Sequence, residues 1–201
     1  LSLRELMEVQ RKMKSNTYKE YIAPVVVLVC ICLAVTAALA LVYGITDPII
    51  KRNSKATADK TRTELLKDAD SFTEYKGKLV VEQPGAVYVK DVYVANNKAG
   101  FVATCVTKSF GGELTMMVGV DKNGAVTGVE VTNHSDTPGL GTKDFDSGYL
   151  KQYKGLKALK ATNVKDDGQI KFITGASVSG SAIHYGVYAA LHQYKEMGGV
   201  K

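Results

Sequence analysis

Hydrophobic and polar positions follow three different rhythms along the chain. From Tyr21 to Thr46 no residue is charged for 26 positions, and residues 25–42 are almost unbroken Val, Leu, Ile, Ala and Cys. As a helix such a run is long enough to cross the roughly 30 Å hydrocarbon core of a bilayer. Pro24 suits the first turn and Tyr43 the far interface, while Gly44 and Asp47-Pro48 predict the end of the helix. A cleaved signal peptide has a shorter apolar core, about 7–15 residues, followed by a small-x-small cleavage site, and Tyr43-Gly44-Ile45 is a poor one. The run is therefore read as a single transmembrane helix over residues 23–46, with the lipid bilayer as its partner. Before it, Leu3, Leu6, Met7, Val9 and Met13 recur among charges, the pattern of a short interfacial helix over residues 1–20. The chain opens on Leu1, not a start methionine, so something is expected to be missing ahead of it. After the run, residues 49–70 are polar apart from Ile49, Ile50, Leu65 and Leu66, which predicts a largely helical stalk.

The second rhythm is alternation. Residues 78–133 read as an antiparallel sheet with strands over 78–82, 86–95, 100–108, 113–120 and 125–133. Asn96-Asn97-Lys98-Ala99-Gly100 and Asp121-Lys122-Asn123-Gly124 are the turn signals between them. Gly128 breaks the phase between Val126 and Val129 and marks a bulge. The third rhythm is helical. Phe145, Tyr149 and Tyr153 recur every four residues, which predicts one helix face turned to the core. A strand-like run, 170–173, breaks at Gly175 and gives way to a helix from about Ser177 to Tyr194. The fold class is α+β: one N-terminal transmembrane helix, then a domain of antiparallel sheet and packed helices.

Charge changes the picture little. The net charge of +6 invites nucleic acid, but seven basic and four acidic residues lie within residues 1–52, flanking the apolar run where head groups account for them. The other 19 basic and 16 acidic residues are scattered without a stripe or a motif, so no nucleic acid is expected. Five basic residues precede the apolar run and five closely follow it, so the positive-inside count ties. Cys30 and Cys32 point about 200° apart on a helix and cannot share a metal. Cys105 sits alone in a strand pattern, and three histidines without clustered spacing predict no metal site.

Two stretches carry candidate chemistry. Thr174-Gly175-Ala176-Ser177-Val178-Ser179 opens a helix, where a hydroxyl can cap orphan N–H groups and where those donors and the helix dipole favour an anion. His134-Ser135-Asp136-Thr137-Pro138-Gly139-Leu140-Gly141 follows a strand directly, and its glycines let backbone approach a flat ligand closely. Ser177, Ser181, His184 and Tyr188 share a helix face, but Gly175-Ala176-Ser177-Val178-Ser179 lacks the final Gly of a nucleophile elbow. No acid is placed locally to orient His184, so no catalytic residue is assigned.

An anchor near the N-terminus, the Asp136–Gly141 motif and Thr174-Gly175-Ala176-Ser177, in this order, resemble the FMN-binding domain family. Within it they are most similar to the G subunit of Rnf-type ion-translocating ferredoxin:NAD oxidoreductases, with the C subunit of the sodium-translocating NADH:quinone reductases a near relative. The resemblance implies FMN joined through its phosphate to Ser177 by a flavin transferase. It implies a cofactor site of Thr174, Gly175, Ala176, Ser177, Val178 and Ser179 together with Asp136, Thr137, Gly139, Leu140, Gly141 and Lys143. Leu140 would pack on the isoalloxazine, and Lys143 could stabilise a reduced, anionic flavin. Two positions depart from the family's pattern: Ser177 stands for the usual Thr, and Lys171 for an acidic residue, with Asp166 and Asp167 further upstream. Ser179 is the other candidate acceptor. The resemblance further implies residues 1–22 in the cytoplasm, a stalk over 47–71, and an FMN domain over 72–201 outside the cytoplasm on a bacterial inner membrane. The implied function is electron relay beside the other membrane subunits of an Rnf-type complex. A membrane-anchored assembly module with a non-functional flavin site is the alternative.

Overall fold

A run that is apolar on every side has no face to turn to water, and the first half of helix α1 (Ala23–Leu65) has that character. Leu33, Leu39, Leu41 and Val42 are each 60–71% exposed, and the helix is long and apolar enough to cross a membrane. The computed structural model describes residues 3–5, 7–8, 11, 21–139, 141–145 and 147–200. The interfacial helix expected over residues 1–20 lies largely outside the described residues. The chain divides into two compact units, Leu1–Ala56 and Thr57–Lys201.

The expected helix stop at Gly44 and Asp47-Pro48 is overturned, because α1 continues through Pro48 to Leu65. An interior proline removes one hydrogen bond and crowds the carbonyl four residues earlier. Here that residue is Gly44, and nothing lies within 4 Å of where its Cβ would sit, which leaves the turn room to tilt. Lys51 Nζ reaches back across the same turn to Asp47 Oδ2 at 2.8 Å. A break signal of about 3 kcal/mol thus loses to the strong helix formers that follow.

In the second unit, strands β1 (Phe72–Glu74), β2 (Val81–Gln83), β3 (Val87–Ala95), β4 (Gly100–Ser109), β5 (Gly112–Asp121) and β6 (Val126–Asn133) form one sheet. The order is β1-β3-β4-β5-β6, with β2 also paired to β3, and every pairing is antiparallel. The central strand β4 is buried from Gly100 to Thr107 because both faces of the sheet are covered. Phe101, Ala103 and Cys105 face the main core, whereas Val102 packs with Leu66, Ala95 and Met117 on the other side. Ala58 and Leu65, at the end of α1, cover that second side. The bulge expected near Gly128 is present: Gly119 pairs Gly128 and Val120 pairs Val126, leaving Thr127 over. The Thr127 hydroxyl donates to the Leu65 carbonyl at 2.5 Å.

Helices α2 (Ser147–Leu150), α3 (Val164–Asp167) and α4 (Ser177–Glu196) complete the unit. The single helix expected through Phe145, Tyr149 and Tyr153 is instead a 3₁₀ turn over Gly141–Phe145, the short α2, and another 3₁₀ turn over Lys151–Tyr153. Tyr149 and Tyr153 are buried all the same, since burial of rings does not require one continuous helix. The strand expected at 170–173 is absent. Gln152 stands in for a strand partner: its Oε1 accepts from Lys171 N–H at 3.0 Å and its Nε2 donates to the Lys171 carbonyl at 3.5 Å. Helix α4 is the keel of the domain. Ile183, Val187, Ala189 and Ala190 are fully buried against the sheet, and the small residues allow close approach.

Candidate functional site

Three pieces of backbone converge at the start of α4. The first is the β4–β5 hairpin, closed by Phe110 and Gly111 between the paired Ser109 and Gly112. The second is the loop after β6, residues 134–139. The third is the entry to α4, where Gly175 takes φ +91, a left-handed turn that L side chains resist.

Asp136 fastens the first two together. Its carboxylate is 4% exposed, and Oδ1 accepts from Ser109 Oγ at 2.8 Å and from Gly111 N–H. The loop is folded on itself by Gly141 N–H donating to the Thr137 carbonyl at 3.2 Å and Gly139 N–H donating to Thr142 Oγ1 at 2.9 Å. Gly141 is where the loop meets α4: a Cβ there would lie 3.0 Å from Asp136 Cβ and 3.1 Å from Ser179 Oγ.

Ser177 is the first residue of α4, and it does not cap the helix; Ala176 holds the capping position and makes no side-chain bond. The expected hydroxyl cap is therefore absent, because Ser177 is already inside the helix and its oxygen cannot turn back to the next N–H groups. Ser177 is half-buried, with exposed Val178 after it. Ser179 follows, 1% exposed, its hydroxyl without a hydrogen-bond partner. Asp136 Oδ2 is likewise buried without a partner.

A cavity of about 140 Å³ lies between these pieces, lined by Phe110, Asp136, Thr137, Gly141 and residues 175–179. A second cavity of about 450 Å³ shares Ser177 and Val178 with the first. Of the sequence-predicted site residues, the structure gathers Asp136, Thr137, Gly141, Gly175, Ala176, Ser177, Val178 and Ser179 around the first cavity. Thr174, Gly139 and Lys143 lie outside its wall. Leu140 lies outside the described residues. Sequence reasoning missed Phe110, an aromatic ring 77% exposed at a hairpin tip. The Gly111-Gly112 pair after it was the available signal for that turn.

Behind the first turn of α4 lies a buried polar group. Asp144 is fully buried and neither side-chain oxygen makes a full hydrogen bond, the nearby Gly180 N–H donating to the Ala176 carbonyl at 2.9 Å. Burial pushes its carboxyl up to about 6, against the backbone N–H of Gly180, which favours the charged form. A Cβ on Gly180 would come within 2.7 Å of Asp144 Oδ2 and 3.3 Å of the Tyr149 hydroxyl. Burial, with Asp144 adding to it, raises Tyr149 to about 12.

His184 is a core residue. It is fully buried, with Nδ1 3.3 Å from the Tyr153 hydroxyl, Nε2 3.0 Å from the Ala161 carbonyl and Nε2 3.5 Å from Asp167 Oδ2. Burial lowers its pKa, against the Ala161 carbonyl and Asp167. The neutral ring accepts from Tyr153 and donates toward Ala161. Asp167 was not anticipated as its partner. Burial works against the charge of Asp167, but hydrogen bonds from Gln169, Ala161 and Lys160 outweigh it and lower its pKa. This group ties the 160–169 loop to α4, and neither His184 nor Asp167 lines either cavity.

Residues 109–192 match the model of the FMN-binding domain family. The chain is 31% identical over 169 residues to the G subunit of the proton-translocating ferredoxin:NAD(+) oxidoreductase complex of Clostridium ljungdahlii, spanning 81% of this chain and 85% of the relative. It is 27% identical to the G subunit of the ion-translocating oxidoreductase complex of Methanosarcina acetivorans, over 86% of this chain and 94% of that one. The G subunit of the Na(+)-translocating ferredoxin:NAD(+) oxidoreductase complex of Acetobacterium woodii is 26% identical, over 85% and 90%. Among solved structures, that of Shewanella oneidensis NqrC has a TM-score of 0.43 at 16% identity, covering 54% of this chain and 58% of that one.

Proposed function

Since the chain belongs to the family of the G subunits of ion-translocating oxidoreductase complexes, we propose that it is the electron-relaying flavoprotein of such a membrane complex, with FMN joined through its phosphate to Ser177. The observation that carries the reading is the placement of that hydroxyl. It is half-buried, spent on no cap, and set in the wall of two cavities at the entry of a helix.

The residues present fit the group. A phosphodiester retains one negative charge, and the first N–H groups of α4, which no helix carbonyl satisfies, are donors for it. Ser179 Oγ and Asp136 Oδ2 are buried polar atoms left without protein partners, as expected where a ligand completes the bonding. Gly175 and Ala176 leave the approach to Ser177 open. When bound, FMN supplies reversible uptake of one or two electrons. The chain supplies position and exclusion: Phe110 and Val178 offer apolar surface, Thr137 and Gly141 offer backbone at close range, and Asp136 holds loop and hairpin in register. Lys143, two residues after Gly141 and exposed, adds a cation outside the cavity wall.

Attachment forms a bond from Ser177 Oγ to the FMN phosphorus with the formal loss of water, and we assign it to a flavin transferase. Helix α1 anchors the chain, and by family resemblance the FMN domain lies outside the cytoplasm, with the stalk over 47–71 joining it to the span and the other members of the complex as its redox partners. Peptide mass spectrometry of protein co-expressed with a flavin transferase tests the reading. The expected result is the mass of FMN less water on the peptide that holds Ser177. An adduct on Ser179 would move the site by two residues, and no adduct beside an active transferase would overturn the reading.

A further inference from the structure

The second cavity is the larger, at about 450 Å³, and its chemistry differs from that of the first. Two lysines, Lys108 and Lys165, line it and no carboxylate does. Neither lysine belongs to an ion pair among the described residues, although Lys108 is opposite Glu113 in the β4–β5 register. Thr107, also in the wall, is 1% exposed and its hydroxyl has no partner. Its methyl faces α4, since a Cβ on Gly186 would lie 3.3 Å from Thr107 Cγ2. Ser181 donates to Asn163 Oδ1 at 3.2 Å, which leaves the Asn163 amide hydrogens for another acceptor. Two exposed lysines without an ion pair among the described residues, Lys165 with its Nζ 5.8 Å from the Phe172 ring centroid, stand beside an orphaned buried hydroxyl with no carboxylate in the wall, an arrangement that favours negative charge. Ser177 and Val178 belong to the walls of both this cavity and the one beside Phe110.

We propose that the Lys108–Lys165 cavity is a second seat for the flavin tethered at Ser177, which takes the ring in its reduced, anionic form. The proposal rests on Ser177 as the attachment point. Two electrons and one proton added to the neutral ring leave it one negative charge. In the working complex the electrons come from a neighbouring membrane redox carrier, and in the test below from dithionite. A ring held by its phosphate at Ser177 then has a choice of walls: Phe110 and Val178 for the neutral ring, and Lys108, Lys165, Thr107 and Asn163 for the charged one. Ser177 is the pivot, and the balance between the two seats is set by redox state.

The test uses the full chain carrying FMN, in nanodiscs, titrated with dithionite against reference dyes. Every variant is first checked by mass spectrometry for the Ser177 adduct, so that loss of attachment is seen separately and counts against the attachment reading alone. Lys108→Gln/Lys165→Gln is expected to lower the reduced-to-oxidised ratio at fixed potential about tenfold, or about 30 mV for a two-electron couple. Ser181→Leu, which fills the cavity without changing charge, is expected to lower it in the same direction. Lys143→Gln, at an exposed lysine outside both cavity walls, is expected to shift the ratio less than the double variant. A shift in the lysine variant with none in Ser181→Leu would mean a through-space field and no seat. Equal potentials in all variants would overturn the proposal outright.

Discussion

A serine that begins a helix without capping it leaves its oxygen free for other chemistry, and at Ser177 the proposed chemistry is the phosphoester to FMN. The expected consequences are specific. Ser177→Ala removes the covalent flavin, leaving colourless protein after denaturing gel filtration. Ser177→Thr retains the adduct, because the hydroxyl stays and only a methyl is added. The neighbouring buried acid makes a separate prediction. Asp144 rises from 3.8 to about 6, so the folded state favours its protonated form. That contribution to stability is complete below pH 3.8 and is lost as pH rises through 6. A shift of this size corresponds to at most roughly 3 kcal/mol. Asp144→Asn is therefore expected to raise the urea midpoint at pH 7.5, with the gain disappearing near pH 4. Melts of the flavin-free chain at the two pH values check it, and a gain of equal size at both would show that ionisation is not the cause.

Among the elements, α4 connects site and scaffold: its first turn supplies Ser177 and Ser179, while its last turns secure the opposite edge of the domain. Gln193, fully buried, accepts from Val80 N–H at 2.8 Å and donates to the Lys78 carbonyl at 3.1 Å. Gln193→Leu removes both bonds and leaves two backbone groups unpaired, a cost of about 1–3 kcal/mol. A urea midpoint lowered accordingly is expected, and an unchanged midpoint would count against the side chain's bridging role. The elements legible in the sequence are those whose pattern is local: the alternating strands 86–133, the bulge by Gly128 and the helix from Ser177. What was illegible depended on distant partners. β1 has only three residues, Phe72–Glu74, and exists because β3 pairs with it. The 170–173 segment has strand-like residues, yet Gln152 and no strand satisfies Lys171. At the site, both glycine-containing loops could be read, but Phe110 could not, since nothing in its own segment announces that the hairpin tip meets Asp136. His184 likewise met its acid, Asp167, only through the folding of α3 onto α4.

At the scale of the whole molecule, the sequence leaves sidedness open, because the basic residues on the two sides of the apolar run tie. The placement proposed from family resemblance puts residues 72–201 outside the cytoplasm, and the fold offers a direct way to read it. Lys76 is exposed and lies between β1 and β2, in no ion pair among the described residues. Cys105 is buried, with burial and the nearby Asp91 raising its thiol far above the ordinary range, so it is a poor nucleophile. Cys30 and Cys32 lie in the apolar run itself, where a charged reagent does not reach them in a bilayer. A Lys76→Cys chain in intact cells should therefore react with a membrane-impermeant maleimide, whereas the parent chain should not. Labelling only after the cells are opened would place the domain in the cytoplasm. The flavin would then have to exchange electrons on that side of the membrane, and the proposed orientation would be wrong even with Ser177 loaded.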